Sequence, residues 1–364
     1  MAEILALGIS HYPPLSGHDD RMAGLLKGIL ARNTNLPEKM KDPANWPEEA
    51  RKQWGNDEGA TAAAKHRQDL VGWMDKTRKA LDDFNPDIVL IWGDDQYENF
   101  REDIIPPFAI SAHDEFNFTP PANNVWGEDP TKKITIKGAP KAAKALTTAL
   151  IEDGFDTAYS YKPLHHALGH AFYNAILYLD YGREKGFPYP VIPFAINCYG
   201  RRVIAQRGGG PVFDRVVTEA ELDPPAPTPK RLFDLGAATA RILKASPYRV
   251  AVIASSGWSH AFLTAKNDFL WPDTAADRRM YEALIKGDWD VWTKLTGKEV
   301  EDSGQQEILN WSCLAGAMSE LKQPIVEHGF VGTWIFNSSK VFAIAPPVTD
   351  SGKSAAKAAA TVTA

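Results

Sequence analysis

Four continuous apolar runs along the chain each end at polar or ionisable side chains. ILALGIS leads to His11, IVLIWG to Asp94 and Asp95, VIPFAI to Asn197, and VAVIASSG to a segment that contains His260. Apolar runs without polar alternation are typical of strands that are covered on both faces. In open α/β sheets, ligands bind beyond the carboxyl ends of such strands. We therefore predict that these strand ends converge on one site.

The segments between these runs have the spacing of amphipathic helices. Helices are predicted for KGAPKAAKALTTALIEDGF, HAFYNAILYLDYG, PKRLFDLGAATARILKAS, DRRMYEALIKGDWDVWTKL and QQEILNWSCLAGAMSEL. Further strands are predicted for DTAYSYK and for the last apolar piece, GTWIFNSSKVFAIAPP, whereas the paired prolines of IIPPFAIS mark a turn or an edge. This alternation predicts an α/β fold with a central, largely buried mixed sheet flanked by helices.

Residues 17–85 form a long polar excursion between the first two of these strands. The excursion is rich in charge and helical in pattern, and it contains Trp46, Trp54 and Trp73. Because aromatic side chains in helical register are usually buried, we expect these tryptophans to anchor the excursion to the core. The alternative is that the excursion forms a lid or a wall over the site.

The length and composition of the chain allow one large domain. With 364 residues, 44% of them hydrophobic, the chain is long enough to bury a sizeable core. We predict one domain over residues 1–349, in which 17–85 is a helical insertion. Residues 350–364 are small and polar with no core-forming side chain, and we predict that they form a disordered tail.

Charge and cysteine usage exclude several classes of function. A formal net charge of -6, with acidic and basic residues interspersed, leaves no basic stripe of the kind that nucleic acids select. Cys198 and Cys313 are too few for a disulfide framework, so we expect buried thiols in a reducing compartment. MAEILALGIS lacks the features of a signal peptide, and no stretch of about 18 apolar residues occurs. We expect a cytoplasmic protein that binds neither nucleic acid nor a membrane.

His11 and Glu307 are the first candidates for chemistry. His11 directly follows a strand and precedes Tyr12, Pro13 and Pro14. The two prolines restrict the backbone after the strand end, and a histidine held in such a place favours a functional role. Glu307 lies near the start of a predicted helix whose other face is apolar, where its carboxylate either complements the helix dipole or points into a cleft. A histidine and a carboxylate are two of the three ligands in the facial triad that binds non-haem Fe(II).

Six short motifs carry a family resemblance. They are GISHYPP, DDQYENF followed by IIPPFAI, LHHALGH, VIPFAIN, SSGWSHAF and QQEILNW, and they span residues 4 to about 320. In order and spacing they resemble the catalytic subunits of class III extradiol ring-cleaving dioxygenases, of the protocatechuate 4,5-dioxygenase and 2,3-dihydroxyphenylpropionate 1,2-dioxygenase type. Each motif is weak alone, but six in the right order form a specific signal.

The resemblance implies a catalytic domain with an Fe(II) centre, or alternatively Mn(II), held by two histidines and one glutamate. His11 matches the first metal ligand and Glu307 the carboxylate ligand. His260 matches the histidine that hydrogen-bonds the substrate and handles its proton, and His166 matches the second active-site histidine. A small catecholic substrate and O2 would take the remaining positions on the metal. Oligomers are common in the family, so we also expect a homo-oligomer.

The chain departs from the family pattern at the end of the second strand. Where relatives have a histidine ligand, this chain has Gln96, whose amide oxygen is a weaker ligand than imidazole for Fe(II). Asp94 or Glu98 is an alternative source of a harder oxygen. Three histidines are candidate replacement ligands, namely His18, His165 and His166. His170 is expected only to bond a loop carbonyl.

Several further residues are expected near the site. Asp95, His165, Tyr97 and Trp258 are candidates for contacts to the metal ligands or to the substrate, and the two aromatic side chains among them would suit an aromatic ring. The resemblance implies extradiol ring cleavage of a catecholic compound with O2 by a non-haem metal-dependent dioxygenase. Two alternatives stay open: a non-enzymatic binding or signalling member of the fold with a degenerate metal site, and an O2-independent metal-dependent hydrolase or lyase.

Overall fold

The four apolar runs form four adjacent parallel strands in the computed structural model, which describes residues 2–210, 213 and 217–348. The strands of this described part are β1 (Ile4–Ile9), β2 (Ile88–Asp94), β3 (Phe108–Ser111), β4 (Glu115–Phe118), β5 (Ile134–Lys137), β6 (Ala158–Ser160), β7 (Val191–Ile196), β8 (Val250–Ser255), β9 (Glu327–Val331) and β10 (Lys340–Ala345). Eight of them form the main sheet in the order β6-β3-β7-β2-β8-β1-β10-β9, and β4 pairs with β5 in a separate two-stranded sheet.

The centre of the main sheet is parallel and its edges are mixed. β7, β2, β8 and β1 pair in parallel, whereas β10 runs antiparallel to β1 and β3 runs antiparallel to β7. Every side chain of the four central strands is buried. The predicted mixed and largely buried sheet is therefore confirmed, and its apolar runs are explained by burial on both faces.

Helices cover both faces of the sheet. In the described part of the chain they are α1 (Gly24–Arg32), α2 (Glu48–Trp54), α3 (Ala60–Phe84), α4 (Pro140–Glu152), α5 (His170–Tyr178), α6 (Gly200–Ala205), α7 (Pro229–Lys244), α8 (Thr274–Lys286), α9 (Trp289–Lys294), α10 (Gly297–Asp302) and α11 (Ile308–Leu321). Side chains of β1 alternate between two cores. Ile4 and Ala6 pack on the side of α4, α7 and α11, and Leu5 and Leu7 on the side of α3 and α5. The predicted α/β architecture is confirmed.

The helix that follows Glu307 is buried on all sides rather than on one face. Every side chain of residues 308–318 is buried. α11 packs against the sheet and against α7, and the two helices approach closely at glycines. A Cβ atom at Gly236 of α7 would lie 1.8 Å from the backbone oxygen of Cys313, and one at Gly316 would lie 1.9 Å from that of Phe233. The single apolar face predicted from the sequence is wrong because partners enclose this helix on all sides.

Residues 17–85 are largely helical, as predicted, and aromatic side chains attach them to the rest of the chain. Trp73 of α3 stacks on Phe342 of β10 with ring centroids 5.7 Å apart. Trp46 is buried and meets Trp271 edge-on at 6.4 Å. The anchoring role expected of these two tryptophans is confirmed.

The sequence prediction differs from the structure at the edges of the sheets. The hydrophobic pattern does not predict β4, β5 or β9, because these strands are short and contain polar side chains. In GTWIFNSSKVFAIAPP the strand is confined to Lys340–Ala345, and residues 332–339 are irregular, with the Thr333 hydroxyl accepting hydrogen bonds from two backbone N–H groups. The tail predicted for 350–364 lies outside the described residues, and one domain over 1–349 stays a prediction.

Two expectations from composition concern cysteines and membranes. Cys198 and Cys313 are both buried and unpaired, as predicted. In the part of the chain that the structure describes, no helix combines the length and apolar character needed to cross a bilayer.

The close contact of α7 with α11 predicts a large effect of one added methyl group. Gly236→Ala forces its Cβ against a backbone oxygen and should lower the free energy of unfolding by roughly 1–3 kcal/mol. Chemical denaturation measures this change. Gly72→Ala is the matched control, because Gly72 lies in α3 with no atom near its Cβ position, and it should raise the same free energy by roughly 0.5–1 kcal/mol. Equal effects of the two substitutions would contradict the packing described here.

Candidate metal centre

The parallel pairing of the central strands brings their carboxyl ends to one edge of the sheet. His11 follows β1, Asp94 ends β2, and His170 begins α5. One ligand atom from each of these three residues lies within 4.8 Å of the other two. Nε2 of His11 is 3.9 Å from Oδ1 of Asp94, and Nε2 of His170 is 3.8 Å from Oδ2. Among the described residues this is the one group of histidine, cysteine and acidic side chains with such spacing.

Glu307 adds a second carboxylate to this group. Its Oε2 atom is 3.9 Å from Nε2 of His11 and accepts a 2.9 Å hydrogen bond from the backbone N–H of Gly257. Its Oε1 atom accepts a hydrogen bond from the Tyr199 hydroxyl. Burial raises the pKa of Glu307 to about 7, although the bond from Tyr199 acts in the opposite direction. His11 and Glu307, which the resemblance pairs as ligands, thus lie close enough to contact one common ion.

The two histidines of the cluster are held through their Nδ1 atoms, so that Nε2 faces the carboxylates. Nδ1 of His11 lies 2.9 Å from the backbone oxygen of Ser255, which can only accept a hydrogen bond, so Nδ1 carries the proton. Nδ1 of His170 lies 2.9 Å from Oε2 of Glu98. Burial lowers the pKa of His170, but the charge and hydrogen bond of Glu98, together with the charges of Asp94 and Glu307, outweigh this effect and raise the pKa to about 10. Metal-binding histidines usually make such Nδ1 contacts.

The surroundings of the Asp94 carboxylate indicate whether a metal ion fits this cluster. Its side chain is fully buried, and neither oxygen has a hydrogen-bond donor in the described part of the chain. Burial raises the pKa of Asp94 well above its usual range, and the charge of Glu307 adds to the increase. A buried carboxylate without donors is costly unless a cation compensates it. His11, Asp94, His170 and Glu307 therefore fit a divalent cation, which would satisfy both carboxylates and leave the histidine Nδ1 contacts intact.

His260 lies beside the cluster. Its Nδ1 atom is 2.7 Å from the backbone oxygen of Trp258, and its Nε2 atom is 3.2 Å from Oε1 of Glu307. Burial lowers the pKa of His260 to about 3, so its imidazole is neutral near pH 7. The Trp258 indole packs edge-on against Trp292 and Trp311 in the core and does not line the cavity described below. Only the backbone carbonyl of Trp258 therefore supports the site.

The end of β2 and the turn after it place four polar side chains in four different roles. Gln96 donates a 2.7 Å hydrogen bond from Nε2 to the backbone oxygen of Gly208, while Asp94 offers its oxygens to the cluster and Glu98 holds His170. Asp95 shapes the turn by accepting hydrogen bonds from the backbone N–H groups of Glu98, Asn99 and Phe100. Of the two acidic candidates, Asp94 is the one with an oxygen in the cluster, and Gln96 lines the cavity described below.

Tyr97 and Asp95 are the two residues of this turn that were expected near metal ligands or substrate. Tyr97 has a φ of 60°, in the left-handed region that is uncommon for residues other than glycine. It packs against the hydrophobic core on the side of α4, α7 and α11 and does not line the cavity described below. Both residues therefore act on the site through the shape of the turn.

His170 is the histidine that completes the cluster, and the expectation that it only bonds a loop carbonyl is wrong. Its Nδ1 atom contacts a carboxylate and its Nε2 atom faces another. The other candidates lie elsewhere: His18 is exposed, His165 pairs with Asp103 at 2.8 Å on the surface, and His166 is half-buried outside the cavity lining. The signal that could have found His170 is its place as the first residue of a predicted helix, since helix starts as well as strand ends can face a site.

A cavity of about 240 Å³ opens onto this cluster. Phe262 contributes an aromatic wall and stands edge-on to His260 with ring centroids 5.6 Å apart. Leu25 of α1 also lines the cavity, so the 17–85 insertion contributes a wall in addition to its anchoring contacts. Tyr199, which the sequence pattern does not single out, lines the cavity next to Glu307.

The fold and this cluster define an α/β protein with a histidine and carboxylate site at the carboxyl ends of parallel strands. Residues 210–343 match the family described as the catalytic LigB subunit of aromatic ring-opening dioxygenase. The matched segment contains His260 and Glu307, whereas His11, Asp94 and His170 precede it. The match confirms the resemblance to class III extradiol dioxygenases that the motifs indicate.

Individual relatives support the same conclusion at low identity. The chain is 26% identical over 205 residues to 2,3-dihydroxyphenylpropionate/2,3-dihydroxicinnamic acid 1,2-dioxygenase 2 of Pseudomonas putida, an alignment that covers 52% of this chain and 53% of the relative. A dioxygenase of the same name from Photorhabdus laumondii is 26% identical over 180 residues, or 50% of this chain and 45% of the relative. One from Burkholderia vietnamiensis is 27% identical over 286 residues, or 66% and 78%. The chain thus spans about half the length of the first two relatives.

Within the described residues the buried Asp94 carboxylate has no hydrogen-bond donor, and this predicts a selective loss of metal binding when its charge is removed. Asp94→Asn removes the charge that faces both histidines and should weaken divalent metal binding at least about tenfold, which reduces the metal-induced rise in melting temperature. Thermal unfolding with and without Fe(II) or Mn(II) measures this rise.

The neighbouring residue supplies the control for this measurement. Asp95→Asn breaks hydrogen bonds to the turn and should lower the melting temperature of both forms while the metal-induced rise persists. A full metal-induced rise in Asp94→Asn would show that Asp94 is not a ligand.

Proposed function

We propose that this protein is a non-haem metal-dependent dioxygenase that performs extradiol ring cleavage of a catecholic compound with O2. The observation that carries the proposal is the cluster of His11, Asp94, His170 and Glu307 at the carboxyl ends of parallel strands, with His260 beside it. The names of the relatives support the same reaction class. Neither observation favours an O2-independent reaction or a purely binding role.

Fe(II) is the metal that we propose for the site, with Mn(II) as the alternative. Two imidazoles and two carboxylates suit these ions. The set differs from the family pattern because Gln96 occupies the position of the strand-end histidine, and Asp94 and His170 would supply ligands in its place. A bound metal would supply the electron transfer between the aromatic substrate and O2. Glu98 would orient His170 through its Nδ1 contact, and Ser255 would orient His11 in the same way.

We assign the proton transfer of the reaction to His260. The backbone oxygen of Trp258 holds its Nδ1–H, which leaves a lone pair on Nε2 at the cavity. Burial keeps this imidazole neutral near pH 7, so Nε2 can accept a proton from a catechol hydroxyl and return it later. His166, which the resemblance also implies as an active-site histidine, does not line the cavity, so the structure gives it no comparable contact.

Three features of the cavity walls suit an aromatic substrate. Phe262 offers a ring face beside His260, Leu25 and Pro14 exclude water, and the Tyr199 hydroxyl fixes the Glu307 carboxylate. The proposed partners are therefore a small aromatic diol and O2. The homo-oligomer and the cytoplasmic location expected from the sequence stay predictions.

The decisive experiment loads the purified protein with Fe(II) under anaerobic conditions, adds a panel of catechols and then admits O2. We expect oxygen uptake together with a yellow ring-fission product. Product formation that is equal under nitrogen and air would instead indicate a hydrolase or lyase. Stoichiometric metal binding without oxygen uptake on any catechol, gallate or aminophenol would contradict the proposal.

His260 provides a specific test of the proton-transfer assignment. His260→Ala should retain metal content, because its imidazole is outside the cluster of three ligand atoms, and should reduce turnover by about 100-fold or more. Metal analysis and initial oxygen-uptake rates measure the two quantities. His328→Ala serves as the control. His328 is exposed, lies on the edge strand β9, and is hydrogen-bonded to the Tyr281 hydroxyl. An unchanged rate in His260→Ala would refute the assignment.

A further inference from the structure

A buried carboxylate lies outside the metal cluster and has no part in the reaction described above. Asp277 belongs to the first turn of α8, and its side chain is fully buried. Burial raises the pKa of Asp277 to about 7, although the hydrogen bond from Gln305 acts in the opposite direction. A carboxyl group in such surroundings lowers the stability of the fold unless its contacts offset the cost. Its contacts therefore indicate what it does.

One oxygen of Asp277 joins the two chain segments that carry His260 and Glu307. Its Oδ1 atom accepts a 3.0 Å hydrogen bond from the backbone N–H of Ser259 and a 2.7 Å hydrogen bond from Nε2 of Gln305. Ser259 directly precedes His260, and Gln305 lies two positions before Glu307. A third element of the fold, α8, thus fixes the spacing between these two segments.

The contact between His260 and Glu307 depends on this spacing. Nε2 of His260 lies 3.2 Å from Oε1 of Glu307, and it is the atom to which we assign the proton transfer. A displacement of about 1 Å at a reacting group can reduce a rate by roughly 100-fold. The two hydrogen bonds of Asp277 go to residues beside this pair, so its effect on the reaction passes through the position of the chain.

The fold should survive the replacement of Asp277, because another contact joins the same segments. The backbone N–H of His260 donates a 2.8 Å hydrogen bond to the backbone oxygen of Gly304. Loss of the carboxylate would instead leave the Ser259 N–H and the Gln305 amide without this acceptor in the interior, which is costly. We expect the two segments to shift slightly in response, and such a shift moves the imidazole.

We propose that Asp277 is a positioning residue for the proton transfer, because its carboxylate holds the segment of His260 in place against that of Glu307. Asp277 lies outside the lining of the metal cavity and acts only through its neighbours. This inference rests on the proposed function for the role of His260. An amide oxygen can accept the same two hydrogen bonds, so Asp277→Asn should preserve the geometry, whereas Asp277→Ala should not.

Turnover and a double-mutant cycle test this inference in the Fe(II)-loaded full chain. We expect Asp277→Ala to lower kcat about tenfold or more at unchanged metal content, and Asp277→Asn to keep kcat within about twofold. In a His260→Ala background, Asp277→Ala should cause no further loss, because residues that act as a unit are not additive. A full rate in Asp277→Ala, an equal loss in Asp277→Asn, or a loss that persists without His260 would overturn the inference. If Asp277→Ala does not fold, Gln305→Met, which removes only one of the two bonds, takes its place with the same outcomes.

Asp180 supplies the matched control. It is also buried, just beyond the end of α5, and its carboxylate accepts hydrogen bonds from the backbone N–H groups of Lys185 and Gly186. Asp180→Ala should therefore lower the melting temperature, as Asp277→Ala does, but should leave kcat unchanged. Equal losses of kcat in the two variants would contradict a positioning role.

A spectroscopic measurement separates this inference from the proposed function. The ring signals of His260 are recorded by ¹H–¹⁵N NMR of the Zn(II)-loaded full chain and are assigned by their absence in His260→Ala. Asp277→Ala should shift these signals beyond their line width, whereas Asp277→Asn and Asp180→Ala should not. Signals that stay in place in Asp277→Ala would overturn the inference even if catechols are cleaved. A shift confined to Asp277→Ala supports it even if oxygen uptake on catechols fails.

Discussion

The candidate site depends on the parallel register of three neighbouring strands. Ser255 at the end of β8 lies opposite Ile9 of β1 on one side and opposite Gly93 of β2 on the other. This register places Asp94 one residue beyond Gly93, and His11 two residues beyond Ile9, at the same edge of the sheet. The Ser255 carbonyl then holds the Nδ1 atom of His11. A shift of register would separate these groups, and no other contact in the site would restore them.

The site gathers ionisable groups that are costly without a cation. Asp94 is buried without a hydrogen-bond donor in the described part of the chain, and Glu307 lies at the start of a helix that is buried on all sides. Such an arrangement lowers the stability of the fold. Residues that lower stability in this way are expected at functional sites, where function explains why they are retained. The close glycine contacts of α7 with α11 are part of the same arrangement, because they let α11 lie deep enough to carry Glu307 to the strand ends.

The wall of the cavity is tied to the metal-binding groups. Tyr199 lines the cavity, and its hydroxyl donates a hydrogen bond to the Glu307 carboxylate. The orientation of a candidate ligand and the shape of the cavity therefore depend on the same contact.

The sequence alone indicated the strands of the parallel core and three of the polar groups around it, namely His11, His260 and Glu307. Long apolar runs identify β1, β2, β7 and β8 because strands covered on both faces leave an unmistakable pattern, and the residues after them include His11 and His260. The short strands β4, β5 and β9 leave no such pattern, since half-exposed strands contain polar side chains. Only the tertiary structure decided that Asp94 and His170 join His11, and that Gln96 lines the cavity while its amide N–H donates to the Gly208 oxygen. The reason is that spacing along the chain does not encode which side of a turn faces a cavity, nor which helix start packs against a given strand end.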